Sequence, residues 1–238
     1  MLEFFKKGVN MTKINTLVIL SLIMAAIGVA HGESNAPRKT EVPVDNTYIP
    51  KGFDSNDDVE VVVEGYLPNL CYQNPSADVK VKKKTIDISL QAYTSDSPGQ
   101  NCAEMIVPFL KPVSVGVLDK GFYEVKVNGE NKGEMLVGEA SSDAINEQAY
   151  ANVHYIKRVQ GTRTVKFEGL NPSECMVFDH IEYRSNGEDT YSVLPVMKQV
   201  NDFCPMKMTP FSIQWDVPKK LDGEKILLHV RGMDGKSV

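Results

Sequence analysis

One stretch of the sequence occurs twice, and this repetition constrains the fold more than any other feature. In both copies, alternating apolar residues lead into Glu-Gly, and a proline and then a cysteine follow. An offset of 104 positions relates the two copies over this stretch, and an offset of 102 relates positions farther along. The matched positions are Gly65 with Gly169, Pro68 with Pro172, Cys71 with Cys175, Cys102 with Cys204, Pro108 with Pro210, Phe109 with Phe211 and Gly121 with Gly223. A match of this length predicts a tandem duplication.

The duplication suggests four segments. We predict a signal peptide at residues 1–32, a first β-sandwich repeat at 33–139, a linker at 140–149 and a second repeat at 150–238. Repeats of about 100 residues are long enough to bury a core each. The linker contains the one short stretch with a helical pattern.

The first 32 residues have the pattern of a secretory signal. Lys6 and Lys7 precede an apolar run at residues 17–30, which ends in small residues. This run is shorter than a typical membrane span, so a cleaved signal is favoured over an uncleaved anchor helix. Because no cysteine lies near the cleavage site, a lipid anchor is not expected. The sequence therefore predicts a periplasmic or secreted protein without stable membrane insertion after cleavage.

The remaining sequence has the periodicity of strands. Residues 59–66, 85–93 and 122–128 are rich in β-branched or alternating apolar side chains. About seven short strands per repeat, with turns every 8–12 residues, are typical of a β-sandwich.

Residues 119–123, Asp-Lys-Gly-Phe-Tyr, resemble the tyrosine corner of immunoglobulin domains. This resemblance implies that the Tyr123 hydroxyl bonds to backbone. The sequence departs from the pattern at Val125, which replaces the second immunoglobulin cysteine, and at Lys225, which replaces the tyrosine in the second repeat. The expected fold is all-β, with two tandem immunoglobulin-like antiparallel β-sandwich domains. The whole chain also resembles small secreted β-sandwich proteins associated with type II secretion in Legionella.

The cysteines are placed evenly, two in each repeat. In an oxidising compartment we expect the disulfides Cys71–Cys102 and Cys175–Cys204, one in each domain. Three connectivities are formally open, but pairing within a repeat keeps each repeat self-contained. Four buried free thiols would be the alternative in a cytosolic chain. The absence of a close Cys-x-x-Cys motif favours a structural role over a redox role.

The sequence assigns no catalytic, cofactor-binding or metal-binding residue, and it predicts a protein that is not an enzyme. The formal net charge of −5 disfavours nucleic-acid binding. His154, His180 and His229 are scattered without metal-ligand spacing, and adjacent Asp179 and His180 would face opposite ways on a strand. The acidic residues 54–58 fit a solvated turn better than a calcium site.

Two features suggest binding. Tyr66, Leu67, Pro68 and Tyr72 surround Cys71 in a loop at the end of the sandwich, where recognition is common, although the rings could instead pack on the disulfide. The last segment of the second repeat, residues 230–238, has fewer residues than the corresponding segment of the first repeat. This indicates either a truncated chain or an open strand edge.

The predicted function is that of an exported, non-catalytic binding protein for a protein or glycan ligand. The alternatives are a hydrolytic enzyme with a site at the domain junction around residues 141–154, and an envelope chaperone or scaffold that uses strand addition.

Overall fold

The computed structural model describes residues 37–95, 101–140, 149–219, 225–233 and 235–238. The predicted signal peptide and most of the predicted linker lie outside these residues. Pro37–Val238 forms one compact unit. Within the described part of the chain, no helix is long and apolar enough to cross a membrane.

Every regular element in the described residues is a β-strand. The strands are β1 (Arg38–Glu41), β2 (Val44–Tyr48), β3 (Phe53–Asp54), β4 (Asp58–Leu67), β5 (Tyr72–Lys82), β6 (Thr85–Thr94), β7 (Val107–Val117), β8 (Gly121–Val127), β9 (Glu130–Gly138), β10 (Val153–Arg158), β11 (Thr164–Asn171), β12 (Met176–Ser185), β13 (Thr190–Gln199), β14 (Thr209–Asp216) and β15 (Leu227–Val230).

In the first repeat, two sheets enclose one apolar core. One sheet has the order β1-β6-β8-β9-β3, with β5 also paired to β6, and the other has the order β2-β4-β7. The inward side chains of β4, including Val59, Val61 and Val63, are fully buried and belong to this core. The dense run of valines therefore forms a strand that packs between β2 and β7.

In the second repeat, two three-stranded sheets have the orders β10-β11-β14 and β12-β13-β15. Their core contains Val165, Phe167, Tyr191 and Val193, which lie on β11 and β13. A smaller buried cluster of Tyr150, Leu194 and Val196 packs beside it.

The strand pairings of the two repeats correspond. In each, the strand that carries the repeated Glu-Gly pairs antiparallel with the strand before it and with a later strand: β4 with β2 and β7, and β11 with β10 and β14. A parallel pair recurs as well, β6 with β8 and β13 with β15. The strands β1, β3 and β9 belong to the first repeat, and the described residues of the second repeat hold no counterpart of them.

The repeated glycine is explained by the same close approach in both copies. A Cβ atom on Gly65 would overlap the carbonyl oxygen of Pro43, and one on Gly169 would overlap that of Asn152. The ring of Phe109 closes the space around Gly65, and the ring of Phe211 does so around Gly169. A glycine is therefore required where the chain entering the preceding strand comes close to the strand that carries Glu-Gly.

The tyrosine corner is present in the first repeat. The hydroxyl of Tyr123 donates a 2.8 Å hydrogen bond to the carbonyl oxygen of Asp119, as the resemblance to immunoglobulin domains implied. The prediction of an all-β protein built from β-sandwiches is confirmed. The sheets are mostly antiparallel, with parallel pairs at β6–β8, β13–β15 and β3–β9.

Candidate functional site

The first cysteine end consists of residues 68–71 and 101–106. The predicted disulfide Cys71–Cys102 is formed there. The amide of Leu70 donates a 3.2 Å hydrogen bond to the carbonyl oxygen of Ala103, so the two segments lie side by side.

The predicted binding residues around Cys71 are less accessible than the neighbouring side chains. Leu67 is buried, with 7% of its surface exposed, and it belongs to the core. Tyr66 and Pro68 are half-buried, and the half-buried Tyr72 packs against the core. The exposed apolar side chains at this end are Leu70, Met105 and Ile106. Sequence reasoning missed these three, because they lie between strands, where no alternation of buried and exposed side chains applies.

The second cysteine end consists of residues 172–175 and 200–208. The amide of Val200 donates to the carbonyl oxygen of Cys175 at 3.0 Å, and the amide of Lys207 donates to that of Pro172, also at 3.0 Å. Residues 200–208 form a loop, and both of its ends are therefore held against the segment that contains Cys175. Phe203 is 85% exposed and Met206 is 86% exposed, and Val200 and Met208 are exposed as well.

The predicted Cys175–Cys204 disulfide is not formed in this structure, where both residues are free thiols. Each thiol instead hydrogen-bonds to a carbonyl oxygen of the loop. Cys175 Sγ donates to Phe203 at 3.4 Å, and Cys204 Sγ donates to Asn201 at 3.3 Å. The expectation of one disulfide in each domain is thus met in the first repeat alone.

Both thiols lie beside Asn201. The neighbouring Cys204 thiol, together with Ser173 and Asn201, holds the pKa of Cys175 below its usual value, although burial opposes this shift. The amide of Asn201 lies 3.9 Å from Cys175 Sγ. Cys175 is therefore the residue of the pair that ionises more readily.

The junction between the repeats contains a buried ion pair and a buried histidine–carboxylate hydrogen bond that the sequence did not reveal. Arg231 Nη1 lies 2.8 Å from Asp57 Oδ2, and the guanidinium packs over the ring of Phe53. His229 Nε2 lies 3.0 Å from Glu60 Oε2. The first repeat supplies the carboxylates and the second supplies the basic groups.

The structure changes the interpretation of two sequence features. Residues 54–58 are not a solvated turn, because Asn56 and Asp57 are buried and Asp57 pairs with Arg231 of the second repeat. In addition, His180 Nδ1 lies 2.8 Å from Asp179 Oδ2. A register shift between Phe178 and His180 interrupts the strand alternation that would have separated these two side chains.

A pocket of about 430 Å³ lies beside this junction. Its polar lining includes Asp57 and Glu182, each paired with an arginine, Arg231 and Arg184 respectively. Burial raises the pKa of Tyr150, which also lines the pocket. The described lining contains no histidine, serine or cysteine. The hydrolase alternative placed its site around residues 141–154, of which 141–148 lie outside the described residues, so it stays a prediction.

The edge predicted to be open at residues 230–238 is covered by the chain itself. The amide of Val238 donates to the carbonyl oxygen of Val230 at 3.0 Å, and Arg231 pairs with Ser237. The amide of Ser237 also donates to Glu60 Oε2 at 2.9 Å. The short tail turns back on β15, so strand addition at Val230 would have to displace it.

A family model matches part of the first repeat. Residues 61–137 match the family model described as the ORF11 beta-sandwich domain. No curated protein and no solved structure matches the chain. The matched residues run from β4 to β9, so the family comparison and the fold agree on a β-sandwich in the first repeat.

Proposed function

We propose that the protein is an exported, non-catalytic binding protein that docks a protein partner on its second cysteine end. The exposure of Phe203 is the observation that carries this proposal. A large aromatic side chain with 85% of its surface in water favours burial against another surface. Val200 and Met206 extend the apolar area within the same loop.

A protein partner fits this surface better than a glycan. Exposed phenylalanine and methionine side chains are typical of adaptable protein-binding surfaces, whereas a glycan also needs a set of converging polar groups. Strand addition has less support, because the tail covers β15 at Val230.

Export is part of the proposal, and the Cys71–Cys102 disulfide supports it, since such bonds persist in oxidising compartments. A relation to type II secretion stays a prediction. Fractionation of the producing cells, followed by sequencing of the mature N-terminus, checks both export and cleavage near residue 32.

Site-specific photo-crosslinking tests the docking surface. A benzoylphenylalanine is placed at Phe203, and the matched control places it at Tyr155, which is 64% exposed on β10 of the same repeat. We expect a discrete adduct in the producing cell for position 203 and none for position 155. Equal labelling from both positions, or none from position 203, would contradict the proposal.

A substitution then ties the adduct to apolar contact. The variant Phe203→Ser removes the ring and keeps every sulfur atom of the loop. It should abolish co-purification of the partner identified by crosslinking, with the thermal unfolding midpoint unchanged.

A further inference from the structure

The second cysteine end contains four sulfur-bearing residues, Cys175, Cys204, Met206 and Met208. Both thiols lie beside Asn201, since Cys204 Sγ is 3.3 Å from its carbonyl oxygen and Cys175 Sγ is 3.9 Å from its side-chain amide. The amide of Lys207 is fixed to Pro172, three positions before Cys175, by a 3.0 Å hydrogen bond. Met206 and Met208 flank Lys207 and are exposed, so neither thioether is needed to fill the core.

The first cysteine end lacks this combination. Its two cysteines are linked by a disulfide. Under the 102-residue offset, Glu104 stands at the position of Met206 and Ile106 at that of Met208. The sulfur donors are therefore a property of the second repeat and do not follow from the shared β-sandwich frame.

We propose that the second cysteine end binds a cuprous ion, Cu⁺, through the sulfur atoms of Cys175, Cys204, Met206 and Met208. Thiolate and thioether donors are soft and select Cu⁺ among the metals available to proteins. Val200 and Phe203 place apolar surface next to the donors. On binding, each coordinating thiol releases its proton to solvent, and the copper keeps its +1 charge.

This inference is independent of the docking proposal, because Phe203 carries no donor atom for copper. The two proposals can be separated by substitution. Leucine at positions 206 and 208 keeps the apolar surface and removes the thioethers. Phe203→Ser removes the aromatic ring and keeps the thioethers.

An anaerobic titration with Cu⁺ against bathocuproine disulfonate, a coloured competing chelator, tests the site. The mature protein as isolated is used, without added reductant. We expect one equivalent of Cu⁺ per chain to be withheld from the chelator, with release of protons into weakly buffered solution. The double variant Cys175→Ser/Cys204→Ser should lose this equivalent.

The variant without thioethers gives the more specific test of copper binding, because the exposed positions 206 and 208 can be substituted without loss of folding. Met206→Leu/Met208→Leu should weaken the affinity roughly 10–100-fold, the range found when a supporting group of a metal site is removed. Phe203→Ser should bind as the wild type does.

Any one of four results would overturn the proposal. Three of them are retention of Cu⁺ by the double serine variant, unchanged affinity in the double leucine variant, and absence of free thiols in the isolated protein. A wild-type chain that fails to compete with the chelator would overturn it as well.

Discussion

The two cysteine ends lie at matching places in the duplicated repeats, yet their chemistry differs. At the first end, Cys71 and Cys102 form a disulfide, and the apolar residues beside them are moderately exposed. At the second end, Cys175 and Cys204 are thiols within a loop that presents Phe203 to solvent. The same strand pairings support both ends. The duplication therefore keeps the strand frame and leaves the end loops free to differ, as expected where binding residues are carried on loops.

The largest expected effect tests how the repeats are joined. Asp57→Asn leaves the buried guanidinium of Arg231 without its ionic partner, which should cost about 3–5 kcal/mol of unfolding free energy. Urea denaturation measures this difference. The exposed pair Lys120–Glu139 provides the control, since Glu139→Gln should cost about 1 kcal/mol at most. Equal costs for the two variants would show that the buried pair does not join the repeats.

A second prediction contrasts the cysteine pairs directly. Cys71→Ser/Cys102→Ser removes a cross-link between residues 31 apart, so it should cost about 3–4 kcal/mol through the greater entropy of the unfolded chain. Cys175→Ala/Cys204→Ala removes no cross-link and should cost about 1 kcal/mol. Denaturation without reductant compares both variants with the wild type. Similar losses at the two ends would contradict the difference seen in the structure.

The third prediction concerns what the repeats share. Gly65→Ala and Gly169→Ala each place a methyl group against a carbonyl oxygen, and each should cost about 1–3 kcal/mol. Gly138→Ala is the control, because a Cβ there meets only ordinary contacts and should change stability by no more than about 0.5 kcal/mol. Thermal unfolding of the three variants gives the comparison. A loss of stability in only one of the Gly65→Ala and Gly169→Ala variants would show that the two close approaches are not equivalent.

The smallest expected effect is a pH dependence of the unfolding free energy that comes from Glu60 at the junction. Burial opposes the ionisation of Glu60, but hydrogen bonds from His229 and Ser237 outweigh it and hold the pKa below its usual range. A carboxyl group with a lowered pKa in the folded state stabilises the protein above its unfolded pKa of about 4.3. This contribution is lost as the pH falls through the folded value. Unfolding free energies measured from about pH 6 down to pH 3 should decline less steeply in Glu60→Gln than in the wild type. Parallel profiles would exclude this contribution.

Much of the fold could be predicted from local sequence patterns. The valines of residues 59–63 and the turn at Asp119 follow rules that operate over a few neighbouring residues, and the structure places both as expected. The glycine at position 65 could be recognised as special because it recurs at position 169. Its cause, the approach of the preceding strand, becomes visible only when the strands are paired.

The junction and the binding surface could not be predicted in the same way. Asp57 and Arg231 are 174 positions apart, and no local pattern indicates that a turn rich in acidic residues meets a strand from the other repeat. The tyrosines around Cys71 were favoured for their type, but burial is decided by the core against which Tyr72 packs. Phe203 had no signal of its own, although its position beside Cys204 in an irregular loop could have drawn attention to it.

The difference between the two cysteine ends can be measured most directly by intact mass spectrometry. The mature protein is unfolded in denaturant without reductant and treated with iodoacetamide. The structure predicts two carbamidomethyl groups, at Cys175 and Cys204, and a disulfide between Cys71 and Cys102. A chain that takes up no label and has lost four hydrogens would contain two disulfides, and it would contradict the account.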